Sequence, residues 1–295
     1  MLPILRFLGP ILVFALASCA GDTPTGPLPK DPGWIAVSMN VPQTLSWDLF
    51  RTRPDGTDVQ RITRVGNASS PSWSPDARRI AYQASRSNGF GGTDTEIRIH
   101  DLSTGATSQV TQFLPTAYDS APLWTADGAT ILFLTNRITP EGGLYGIRPD
   151  GTGLTWIRDV KPGASVPDLS RDGRQIVVAY PDGLYVGSLT GTSLQRIAVS
   201  GPNERFDAPK WSPDGRRVAF VSIGRGIFLI NADGSGLVPL PTPGRGSGTD
   251  RQPIWSPDGT RIAFVGPEGL YVGGTDGQSF RLVLQGQIFD PAWTR

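Results

Sequence analysis

Histidine and cysteine are almost missing from this chain: His100 and Cys19 are single copies among 295 residues. One histidine cannot build the His/Cys cluster that a transition metal needs. One cysteine leaves no intrachain disulfide, so stability has to come from packing. A Ser-His-Asp triad would depend on His100, which sits in the strand-like run Glu96-Ile97-Arg98-Ile99-His100, and neither a G-x-S-x-G elbow nor a P-loop accompanies it. Neither sign of charge dominates, with Lys+Arg 27 against Asp+Glu 26. Without a basic stripe, nucleic acid is not an expected partner. The apolar run Phe7 to Ala15 is too short to cross a bilayer. These absences argue against an enzyme and call for no cofactor and no metal.

What is present repeats. Pro253 to Val265 reads P-I-W-S-P-D-G-T-R-I-A-F-V: a short strand with Trp255, the corner Ser256-Pro257-Asp258-Gly259, and a β-rich return strand. Ser suits the first turn position, proline pre-sets φ at the second, and Gly is favoured at the fourth. Variants begin at Pro71, Pro122, Pro167 and Pro209, and Pro291-Ala292-Trp293-Thr294 is a truncated copy. With the Trp position as marker (73, 124, 169, 211, 255, 293), the steps are 51, 45, 42, 44 and 38 residues. That period, carried by strands and turns without helical patterning, is the signature of a propeller blade.

Each full unit continues with a third strand, a D-G or related turn, and a fourth strand, as in Gly226 to Ile230, Asp233-Gly234 and Leu237 to Leu240. The two ends complement each other. Trp34 to Ser38 is a second strand without a first, and Trp293 lies on a first strand with nothing after it. Pairing the C-terminal strand with the N-terminal strands completes a sixth blade and removes free sheet edges. The expectation is an all-β, six-bladed propeller of four-stranded blades over residues 33–295.

The repeat P-x-W-S-P-D-G-x-x-I-A-F resembles the WD-like repeats of TolB-type six-bladed propellers, the periplasmic component of the Tol–Pal system. The resemblance runs from about Trp34 to Arg295. It implies an envelope protein that binds a protein partner, with a peptidoglycan-associated lipoprotein as one such partner.

Residues 1–18 read as a lipoprotein signal peptide: Arg6, the apolar run, then Leu16-Ala17-Ser18-Cys19, which resembles the bacterial lipobox. Cys19 is the expected lipidation site, and residues 19–32 form a Pro/Gly-rich tether. Ala20 after the cysteine points, by resemblance to enterobacterial sorting, to the outer membrane facing the periplasm.

One apolar ring per blade (Trp73, Trp124, Trp211, Trp255, Trp293, with Leu169 in their place once) reads as packing between neighbouring sheets. The corner aspartates Asp76, Asp127, Asp172, Asp214 and Asp258 read as turn formers. Arginines opening the second strands (Arg78, Arg79, Arg216, Arg217, Arg261) read as solvated. The longest and most varied segments join strands two and three or link one blade to the next, and this strand order puts both sets on one face. Within them an aspartate stands shortly before the strand-one proline at Asp119, Asp207, Asp250 and Asp290. Either these line an acidic channel mouth, with Tyr118, Phe206 and Phe289 as apolar anchors and Arg205 and Arg251 beside them, or each caps its own turn. Both readings can hold together.

The favoured function is a non-enzymatic, monomeric envelope scaffold that binds a protein or peptide through its loop face and channel mouth. A small-ligand, glycan or divalent-ion sensor is the alternative. A glycan-active hydrolase or lyase using channel carboxylates is the third reading.

Overall fold

The computed structural model describes residues 33–42, 44, 46–89, 92–115, 117–161, 163–243 and 251–294. Cys19 and the expected signal peptide and tether lie outside the described residues. The strands form six antiparallel four-stranded sheets. Five blades are built from consecutive strands. The remaining one, here called the first, joins the last strand, Ile288–Trp293, to Ile35–Val41, Ser46–Thr52 and Gln60–Arg61. Ile35 lies opposite Trp293 and Met39 opposite Ile288, so the ring closes as expected. The second to sixth blades begin with Ala68–Trp73, Asp119–Trp124, Asp168–Leu169, Phe206–Trp211 and Arg251–Trp255. Each of these first strands runs from the loop face, where the varied loops lie, to the turn face, which carries the S-P-D-G corners.

The core is divided by the geometry of the ring. Six apolar clusters are found among the described residues, each spanning one blade-to-blade junction. Between the fifth and sixth blades, for example, Ala219, Val221, Ile227 and Leu229 meet Trp255, Ile262, Phe264 and Tyr271. The marker tryptophans are buried in these junctions. Leu169 serves the junction of the third and fourth blades with Leu132, Leu144 and Ile176, the smallest of the six clusters. Polar stitches accompany the packing. The Trp73 and Trp255 indoles donate to the carbonyls of Ala292 and Lys210 in the preceding blade, both at 3.1 Å. The Trp124 and Trp211 amides instead donate to the side chains of Ser72 (3.2 Å) and Asp168 (3.0 Å).

Three of the arginines expected in solvent do something else. Arg79 lies 4.8 Å from the ring of Trp124, Arg217 4.9 Å from Trp255 and Arg261 5.6 Å from Trp293, each in the next blade. Each guanidinium lies over the indole of the neighbouring blade, a cation–π contact worth about 0.5–2 kcal/mol. The first arginine of each pair, Arg78 and Arg216, stays exposed as expected.

The corners are self-contained. Ser256 Oγ donates to Asp258 and accepts the Arg261 amide at 2.9 Å, while the Gly259 amide donates to the Ser256 carbonyl at 2.9 Å. Gly259 takes φ 70°; in the second blade Ala77 holds the same place at φ 55°. Asp76, Asp127, Asp172 and Asp214 are held below the usual carboxylate range, chiefly by the neighbouring Ser or Thr hydroxyl and then by a backbone amide. In a strand-three corner, Asp101 falls to about 2 through the Ser103 hydroxyl and the Thr104 and Ser103 amides. All of these carboxylates titrate lower folded than unfolded. Their stabilisation is therefore complete above the unfolded value of about 3.9 and is lost as pH falls through the folded values. Thermal melts should show a melting temperature that drops steeply between about pH 4 and pH 2. In Ser212→Ala, which removes the hydroxyl from Asp214, that drop should be shallower.

Candidate functional site

The loop-face mouth of the channel is shaped by a feature invisible in the repeat motif. In five blades the residue before the strand-one proline has a left-handed backbone: Ser70 (φ 51°), Ala121 (53°), Ala208 (47°), Gln252 (54°) and Asp290 (51°). At each, the ladder to the neighbouring strand slips in a β-bulge. The proline that follows lies on the innermost strand, whose free edge makes a missing N–H tolerable. A bulge re-aims side chains at a sheet end, so these residues mark the rim.

The aspartates that look alike in sequence stand at different offsets from this bulge, and the fold separates them. Asp290 occupies the bulge itself and joins three consecutive blades. Its carboxylate accepts from Gln252 Nε2 of the sixth blade (2.5 Å) and from the amide and hydroxyl of Ser70 of the second (3.1 and 3.2 Å). The Asp290 amide returns a bond to Gln252 Oε1 at 2.8 Å. Asp207, one residue earlier, accepts the Ala208 amide at 2.8 Å and is half-buried. Asp250 lies outside the described residues.

Two expected mouth residues belong to the interior instead. Asp119 is 0% exposed. Arg137 Nε donates to it at 2.9 Å, its Nη2 completes a fork, and the Asp119 amide donates to Thr95 Oγ1 of the preceding blade at 2.8 Å. Two residues ahead of the bulge, alternation along the strand turns this side chain inward. Phe206, 4% exposed, packs edge-on against Phe220 with ring centres 4.8 Å apart, so it is a core residue and not a surface anchor. Aromatic character alone could not distinguish the two.

The other named residues are at the surface. Phe289, 38% exposed, rests edge-on against Trp47 at 5.0 Å, directly before Asp290. Trp47 was not anticipated; it is the second residue of strand three in the closing blade, just after the connection from strand two, and that nearness to the loop was the available signal. Tyr118 is exposed over the backbone at Gly142, and its amide donates to Asn136 Oδ1 at 2.8 Å. Arg205 and Arg251 are exposed, the former with its carbonyl accepting the Ile223 amide at 2.9 Å, the latter opposite Val265 in the ladder. Beside Arg205, Glu204 accepts from the Gly201 amide, Ser222 Oγ and Arg225, which hold its carboxyl below the usual range. The mouth thus combines a saturated carboxylate, an aromatic pair and two exposed guanidinium groups.

The family model of the TolB beta propeller domain matches residues 35–295. The chain belongs to that family. It is similar to a protein described as a TolB homolog of Chlorobium luteolum, 32% identical over 130 residues, which is 42% of this chain and 28% of the relative. It is also similar to an uncharacterized peptidase of Bacillus subtilis, 30% identical over 118 residues, 40% of this chain and 18% of that protein. Among solved structures, TolB from Acinetobacter baumannii superposes with a TM-score of 0.71 at 20% identity, covering 89% of this chain and 66% of the other. The shared length with the two sequence relatives is therefore less than a third of either. The common part is the propeller scaffold.

The buried Asp119–Arg137 pair makes a sharp test of the corrected placement. Asp119→Ala should destabilise the fold by about 3–5 kcal/mol, because it leaves a mostly buried guanidinium uncompensated. Urea unfolding measures this; an effect under about 1 kcal/mol would place Asp119 at the surface.

Proposed function

We propose that this chain is a non-enzymatic envelope scaffold, lipid-anchored through Cys19, that holds a protein or peptide on its loop face. The observation that carries the reading is the Trp47–Phe289 pair on the rim, beside Asp290. An exposed phenylalanine backed by a half-buried tryptophan on the rim suits a partner's apolar anchor, and aromatic residues dominate such hot spots. Arg205, Arg251, Asp207, Asp250 and Tyr118 would supply the polar surround, while Asp119 and Phe206 support the scaffold from within. Resemblance to TolB suggests a peptidoglycan-associated lipoprotein as the partner class, and a monomeric propeller at the outer membrane as the working form.

The strand order supports this division of faces. Ile35 begins at the turn face opposite Trp293, and Trp34 is pinned there: its amide donates to Thr294 Oγ1 at 3.1 Å and its carbonyl accepts the Thr294 amide at 2.9 Å. Arg53 and Arg51 cover its ring at 3.9 and 4.2 Å. The first described residues of the ring therefore stand at the turn face, away from the loop-face residues proposed to hold a partner.

In-cell crosslinking of the lipidated protein followed by mass spectrometry should yield one dominant envelope protein joined to loop-face residues. Phe289→Ser should weaken that complex by about 2 kcal/mol, roughly thirtyfold, with an unchanged melting temperature. A folded, abundant propeller with no protein crosslinks would defeat the binding reading. Cys19→Ala should move the protein from membrane to soluble fractions; retention in the membrane would remove the anchor from the account.

A further inference from the structure

The channel holds a cavity of about 130 Å³, with walls from all six blades, that reaches the S-P-D-G corners of the turn face. The middle residue of every P-x-W unit lines it: Ser72, Leu123, Asp168, Lys210, Ile254 and Ala292. Four of the six are neutral. The charged pair comes from the fourth and fifth blades, and the fourth blade departs from the repeat at two further positions. Leu169 replaces tryptophan, and Arg171 stands in the corner where the second, fifth and sixth blades have Pro75, Pro213 and Pro257. Asp168, Leu169 and Arg171 all line the cavity. A repeat that breaks its own pattern where the residues converge is the expected sign of a site.

Two cationic side chains stand there beside one carboxylate. Arg171 Nη1 reaches across the mouth to the Pro257 carbonyl, two blades away, at 3.0 Å. Lys210 Nζ stands 3.4 Å from Asp168 Oδ1, longer than the 2.7–2.9 Å of a close charged hydrogen bond, and an ammonium has three N–H groups to place. Asp168 also accepts the Trp211 amide at 3.0 Å. The Trp211 indole N–H, in a residue 5% exposed, has no acceptor among the described residues, as is also true of Trp124 outside this cavity, whereas those of Trp73 and Trp255 are met. A buried donor left unmet costs about 1–3 kcal/mol.

We propose that this cavity binds a carboxylate carried on a short apolar body. The carboxylate is an acceptor-only group that takes the free N–H groups of Lys210 and Arg171. The apolar body packs on Leu123, Ile254 and the prolines. The cavity is smaller than the ~300 Å³ at which drug-sized sites begin, which fits a small acid or the last residue of a peptide. Its lining runs from Pro71 and Pro291 to the corners at Arg171, Pro213 and Pro257 and includes none of the rim residues named for partner binding.

Isothermal titration calorimetry with butyrate tests the proposal, with the amidated and free-acid forms of N-acetyl-Ala-Val as a second arm. Butyrate should bind saturably, with Kd on the order of 1 mM or tighter, within reach of a ligand with so few non-hydrogen atoms. Free-acid peptide binding tighter than butyrate, abolished by amidation, assigns the site to peptide termini; butyrate binding alone assigns it to free acids. Lys210→Met/Asp168→Asn, which removes both charges together and leaves no lone buried ion, should weaken binding more than about tenfold. Arg171→Pro, which installs the corner residue of three other blades, should keep the melting temperature and weaken binding severalfold. No saturable binding of either probe to the wild-type protein overturns the proposal, as does unchanged affinity in both variants.

Discussion

The pairing of Ile288–Trp293 with Ile35–Val41 is the constraint on which the ring depends. Each apolar cluster spans two blades, so no blade has a complete core by itself. In an open chain of blades the two end sheets would each leave an apolar face in water. One antiparallel ladder, formed between segments some 250 residues apart in sequence, brings those faces together and lets the other junctions form a closed circle. Loop-closure entropy grows only slowly with length, so so distant a pairing is affordable when it completes two clusters: Ile35, Val37 and Trp293 on one side, Ala36 and Leu49 on the other.

Closure also gives the ring two chemically different ends. On the turn face, short corners bind their own aspartates through the Ser or Thr hydroxyl. On the loop face, the left-handed bulges end the innermost strands and set the rim. Asp290 sits on the closing strand and is bonded to the blades on both sides, so the rim nearest the seam is tied most firmly. The aromatic pair Trp47–Phe289 stands on that same seam. The channel cavity depends on the same symmetry, since six equivalent positions converge and two charged ones stand out.

Much of this was legible in the chain itself. The P-x-W-S-P-D-G period, the hydroxyl–Asp–Gly corners and the incomplete ends together specify blade number, strand count and closure, because turn chemistry and β alternation act over a few residues. The mouth was only partly legible. Asp119, Asp207 and Asp290 read as equivalent, yet offsets of one or two residues from the bulge send one into an ion pair with Arg137, one to its neighbour's amide and one across three blades. Phe206 and Phe289 are the same residue type on comparable strands, with opposite exposure. The stacking of Arg79, Arg217 and Arg261 on the next blade's indole was hidden for a related reason, since each partner lies more than thirty residues away.

The sequence by itself therefore determined a six-bladed all-β ring, its corners and its seam, all of which follow from local turn preferences, period-two patterning and repetition. Only the tertiary structure decided which carboxylates and rings face solvent, which arginines cover tryptophan, and which side chains meet in the channel. The physical reason is that a one-residue bulge reverses the facing of a strand's side chains, and that convergence on an axis depends on six blades closing at once.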